Sequence, residues 1–220
     1  MLRHAVTLDW EFPGGGTLDF ISAGRQNRNY SSLTRTLDWD NFYGRLGGGQ
    51  FFDALREDMR RHYDYVLIDS RTGYSDIADI CTLHFPDILV DCFTLSYQSI
   101  DGAADIAMNI DKRDHVRPIR ILPVPMRIDF GENAKVEAGR AYARARFDRF
   151  PRGMSRQDAN GYWLSVEIPY RPYYAFEETL ATFGDAPGSP NSMLAAFERL
   201  TKVVTDGRVG EYSPIDEEPL

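Results

Sequence analysis

The residues best placed by type and spacing to do chemistry lie in the run Tyr63-Asp64-Tyr65-Val66-Leu67-Ile68-Asp69-Ser70-Arg71-Thr72-Gly73. A short, continuously apolar stretch ending in an acid predicts a buried strand over 65–69, with Asp69 at its carboxyl tip. In open α/β sheets, ligands bind beyond such tips. A carboxylate there can hold magnesium, often through water, and magnesium in turn grips nucleotide phosphates. Gly73 follows a tight turn, where a backbone N–H can approach a terminal phosphate. Arg71 can touch that phosphate or pair with an acid on the surface. The plainer alternative is a strand whose terminal Asp caps the next helix.

Phosphate chemistry of this kind normally needs a second part. Glycines let backbone N–H groups cradle the phosphates, a lysine reaches the β- and γ-phosphates, and a Ser or Thr holds magnesium. Lysine occurs only at Lys112, Lys135 and Lys202, in Ile-Asp-Lys-Arg, Asn-Ala-Lys-Val and Leu-Thr-Lys-Val, so none stands in a glycine-rich loop. Gly14–Gly16 and Gly47–Gly49 lack the following Lys and Ser/Thr and read as loops.

The elements that must position these residues alternate. Residues 1–17 read as irregular and 18–24 as a strand. Phe51, Phe52, Leu55 and Met59 mark one face of a helix over about 50–62. After the 65–69 strand come a helix over 75–84, a strand over 88–95, a helix over 98–110 and a strand over 119–125. A helix over 132–148, a short strand at 166–169 and helices over 173–183 and 191–205 complete the pattern. Strands alternating with helices predict an α/β fold, a mainly parallel sheet built from right-handed βαβ units with helices on both faces. Residues 1–206 read as a single domain, with 149–163 as an exposed insertion and 207–220 as an acidic flexible tail.

Residues 55–110 resemble the MinD/ParA group of P-loop ATPases. The matching features are Arg60-Arg61-His62-Tyr63-Asp64-Tyr65, the strand Val66-Leu67-Ile68-Asp69, the turn Ser70-Arg71-Thr72-Gly73, then Ala78-Asp79-Ile80-Cys81, Pro86-Asp87-Ile88-Leu89-Val90 and Gln98-Ser99-Ile100-Asp101-Gly102-Ala103. Val166-Glu167-Ile168-Pro169 resembles the family's "IP" segment. Asp69-Ser70-Arg71-Thr72-Gly73 together with Ala23-Gly24-Arg25-Gln26 resembles a branch whose phosphate loop reads KGG.GRT. The likeness runs in order over about 18–206 and is most specific over 60–103. It implies an adenine-nucleotide-dependent regulatory switch ATPase using ATP and Mg2+, with a protein partner or self-dimer. In it, Asp69 is the magnesium-side catalytic acid, and Ser70, Arg71, Thr72 and Gly73 sense the γ-phosphate. Met126 and Pro169 fall at the base side, although Pro123-Val124-Pro125-Met126-Arg127 stands where many relatives have a base-contacting Asn.

Arg71-Thr72 also replaces the family's usual Pro-Pro. The family's Walker A loop and central first strand lie upstream of everything matched, so the expectation is a chain that begins after them. The rival is a non-catalytic regulatory or scaffold protein with a degenerate ATPase fold. The absent lysine argues against ATP binding by this chain alone. A parallel sheet without that strand is expected to leave backbone groups and apolar faces uncovered.

Composition bounds these readings. The chain has 220 residues, 43% of them hydrophobic and 26% charged, with a net charge of −8. That is globular, and a poor prior for general nucleic-acid binding. Arg140, Arg144, Arg146, Arg149, Arg152 and Arg156 form a local basic stretch. It reads first as a solvated face and secondarily as a phosphate-binding surface for nucleic acid. Asp91 interrupts an apolar strand and calls for a buried partner or an exposed strand end. Tyr170, Tyr173, Tyr174 and Phe176 read first as core aromatics and secondarily as rings that could stack on a purine. Cys81 and Cys92 read as reduced core thiols of a cytoplasmic protein. No apolar run nears the roughly 18 residues of a membrane span.

Overall fold

The computed structural model describes residues 4–12, 15–23, 38–70, 85–113, 117–131, 133–177 and 179–212. They fall into two compact units, one within residues 1–85 and one within 86–214, each taken here by itself.

In the first unit, β1 (Val6–Thr7) pairs antiparallel with β2 (Asp19–Phe20), Val6 opposite Phe20. Leu8 N–H extends the pairing to the Leu18 carbonyl at 2.9 Å. The sequence reading had left residues 1–17 irregular; two residues of alternating pattern are too few to signal a strand. Helix α1 (Trp39–Arg45) starts at Asp38, whose side chain accepts from Asn41 N–H at 2.9 Å. Gly47, at φ +72, takes the left-handed turn into α2 (Gly48–His62). The corner is packed edge-to-face: Phe42–Phe52 centroids lie 5.6 Å apart and Phe51–Phe52 5.4 Å. Met59, on the face expected for the core, is buried.

The second unit is α/β. Strand β3 (Ile88–Phe93) pairs in parallel with β4 (Arg120–Pro125), register Ile88↔Arg120 to Phe93↔Pro125, and α3 (Tyr97–Lys112) crosses between them. Arg120 N–H donates to Asp87 O at 3.0 Å and Met126 N–H to Phe93 O at 2.7 Å, so even-numbered N–H groups of β4 face β3. Pro123 and Pro125 occupy odd positions, where a missing N–H costs no ladder bond with β3. Their carbonyls point the other way. Pro123 O accepts from Tyr162 Oη at 2.7 Å, and Pro125 O from Ile168 N–H at 3.0 Å. Ile128 and Pro169 then form a parallel bridge, so a third chain segment runs beside β4.

The segment expected as a strand at 166–169 begins instead as the last turn of a helix. Helix α5 (Arg156–Val166) is capped by Ser155, and only Ile168–Tyr170 bond to the 125–128 stretch. The stretch 149–163 is not an exposed insertion. Phe150, Tyr162 and Trp163 are buried, with Tyr162–Trp163 centroids 5.6 Å apart and Phe147–Trp163 6.4 Å. Tyr162 and Trp163 bury because β4 and α8 (Met193–Val204) pack beside their helix. Helix α4 (Asn133–Arg146) packs on α3. The helix expected over 173–183 is two short ones, α6 (Pro172–Glu177) and α7 (Ala181–Gly184). Tyr173 and Phe176 there are exposed rather than core.

Both faces of β4 are buried, as a layered parallel sheet requires, whereas Val90 and Cys92 on one face of β3 are exposed. Where the sequence placed a tail, residues 207–212 are held on α8. Val209 N–H donates to Thr205 Oγ1 at 3.1 Å, and Tyr212 N–H to Glu198 at 2.9 Å. Residues 213–220 lie outside the described residues, as does the expected helix at 75–84. Among the described residues no helix is long and apolar enough to cross a membrane.

Candidate functional site

The acid-tipped run starts where α2 stops. Tyr63 caps that helix through its N–H on Met59 O, and its hydroxyl donates to Asp19 Oδ2 at 2.6 Å. That bond holds Asp19 below the usual carboxylate range and pushes the Tyr63 phenol up. Beyond Tyr63 the expected buried strand does not form. Residues 64–70 carry no strand pairing and are exposed throughout, Leu67 to 92%. An apolar run buries only when neighbouring strands take its N–H and C=O groups and helices cover both faces, and none of the described residues does so here. Asp69 and Ser70 therefore stand in solvent; Arg71, Thr72 and Gly73 lie outside the described residues. Among the described residues no cluster of acids, histidines or cysteines has metal-binding geometry.

Met126 and Pro169 belong to the second unit. Met126 is half-buried at the carboxyl end of β4, and Pro169 is buried two residues along, in the bridge to Ile128. The same end carries further polar and aromatic groups. Arg127 sits in the left-handed region at φ 57, with its guanidinium 5.1 Å from the Tyr170 ring centroid. At the neighbouring end of β3, Ser96 caps α3, accepting from Ser99 N–H at 3.4 Å, while Thr94 N–H donates to Ser99 Oγ at 3.0 Å.

Half of the arginine stretch is paired with acids of the same unit. Arg140 makes a two-pronged pair with Glu167, Nε–Oε1 2.8 Å and Nη2–Oε2 2.6 Å, and also bonds Glu137 at 2.5 Å. Arg146 reaches Asp101 at 2.8 Å and Asp105 at 3.0 Å, and Arg152 pairs with Asp111. Arg144 and Arg149 are exposed. Three of the six side chains thus answer acids of α3 and the 166–169 segment.

Asp91 meets neither expected condition. It is only 9% exposed, and its Oδ2 has no hydrogen-bond partner among the described residues. Burial pushes its carboxyl up to about 7.

Fold and site together define an α/β protein with a parallel β–α–β unit and an acid-tipped apolar segment upstream of it. Comparison with models of known protein families, with curated proteins and with solved structures finds no match to this chain.

Proposed function

We propose that the chain is an adenine-nucleotide-dependent regulatory switch protein of the MinD/ParA type, contributing the magnesium-side acid Asp69 and the phosphate-sensing turn 70–73. The observation that carries this reading is the chain order. An acid-tipped apolar run is followed along the chain by a parallel β–α–β unit, the order that the MinD/ParA resemblance implies. Nucleotide state would set partner binding or self-association rather than metabolic turnover. Lys112, Lys135 and Lys202 lie on α3, α4 and α8, away from any glycine-rich turn, so this chain by itself is expected to bind ATP weakly.

A second reading, a non-catalytic regulatory or scaffold protein with the same fold, draws on the exposure of 64–70, which leaves Asp69 without the fixed geometry that magnesium demands. Calorimetry with ATP, with and without Mg2+, on the chain and on Asp69→Ala separates the two. Weak magnesium-dependent binding that Asp69→Ala abolishes supports the switch. No heat from either protein removes the nucleotide reading and leaves the scaffold.

A further inference from the structure

Asp91 sits in the middle of β3, on the same face as Phe93, which stacks on Phe147 at a centroid distance of 5.0 Å. Among the described residues no hydrogen bond reaches its buried Oδ2. Its register partner across the sheet is Pro123, whose side chain carries no polar group. The Tyr162 phenol on α5 feels the charge of Asp91 but gives its hydrogen to Pro123 O. Arg120 on β4 acts on that same phenol, yet its guanidinium is held by Asp206 at 2.5 Å and by Val203 O at 3.3 Å. Cys92, next on the strand, brings no positive charge, and burial pushes the Asp91 carboxyl up. An ionised carboxylate in this setting loses its water and gains no partner, whereas a protonated one is an ordinary small polar group.

We infer that Asp91 makes the 86–214 unit a proton-operated element, packed more tightly when the carboxyl holds its proton and loosened about β3 when it ionises. The inference does not depend on the nucleotide reading.

The sign follows from linkage. The folded carboxyl titrates at about 7 and the unfolded one near 3.8. Between those values the folded state holds a proton that the unfolded state has released, so stability falls as pH rises across that window and is level above it. The difference of about three units corresponds to a folding equilibrium constant up to ~10³-fold smaller above pH 7 than below pH 4, from this residue alone.

The test compares urea unfolding of the whole chain, from pH 5 to 8, for the native sequence, Asp91→Asn and Asp91→Leu, so that other carboxylates cancel in the difference. Both variants are expected to gain on the native protein as pH rises, by about 10²-fold between pH 5 and pH 8. A difference that stays constant with pH overturns the inference. If Asp91→Asn does not fold, Asp91→Leu decides. A carboxyl-carbon NMR titration of Asp91 in the native chain gives a direct reading, with a midpoint near 7 expected and one near 4 contradicting it.

Discussion

Leu67→Asp puts the fate of the acid-tipped run to the sharpest test. As the centre of a two-sided buried strand, Leu67 would contribute roughly 1.5–3 kcal/mol by transfer alone, and even truncation to Ala would cost about 2–5 kcal/mol. A carboxylate there would add a desolvation cost of several kcal/mol, enough to unfold a domain of ordinary stability. In the structure Leu67 is 92% exposed. Less than a tenth of the transfer term is then at stake, roughly 0.1–0.3 kcal/mol, within the ±0.5 kcal/mol typical of surface changes. The assay is urea unfolding followed by tryptophan fluorescence in a Trp163→Phe background, so that Trp10 and Trp39 report the first unit. Met59→Ala, a buried position on α2 in the same unit, serves as the control and is expected to cost about 2–5 kcal/mol. A loss above about 2 kcal/mol for Leu67→Asp would refute the reasoning and mean that the run is packed as a strand.

Other positions make separate tests. Glu167→Gln removes the carboxylate from Arg140, and with the two side chains only 11% and 19% exposed it is expected to lower stability by about 2–4 kcal/mol in thermal or urea unfolding. The same Gly→Ala change should have opposite signs in two helices. At Gly139 the new methyl would sit 2.9 Å from Leu95 Cβ and 3.0 Å from Leu95 O, costing about 1–3 kcal/mol, while at Gly102 it meets nothing within 4 Å and should gain about 0.5–1 kcal/mol. Tyr162→Phe leaves Pro123 O without its donor and is expected to cost about 1–2 kcal/mol by urea unfolding, with the fold retained by circular dichroism.

Local pattern alone determined the elements whose signals are local. The apolar stripe of 50–62 became α2, the apolar runs at 88–95 and 119–125 became β3 and β4 with α3 between them, and Ser192 with the Leu194-to-Val204 stripe became α8. Periodicity and caps fix such segments because their hydrogen bonds or side-chain faces are set within a few residues. A parallel β–α–β order followed from the same signals.

What sits beside each segment was decided only in three dimensions. The run 65–69 has the composition of a buried strand, yet it is exposed because burial is a property of its neighbours, and the described residues supply none. Asp91 and Glu167 look alike as acids within apolar stretches. One is left with an unpartnered oxygen opposite a proline, and the other is gripped by an arginine 27 residues away. The arginine stretch reads as a basic surface along the chain, but α3 brings Asp101, Asp105 and Asp111 against it. Tyr162 and Trp163 looked like part of an insertion until β4 and α8 closed over them. In each case the deciding partner lies far away in sequence, and its effect on charge, exposure or strand formation exists only once folding has brought it within a few ångströms.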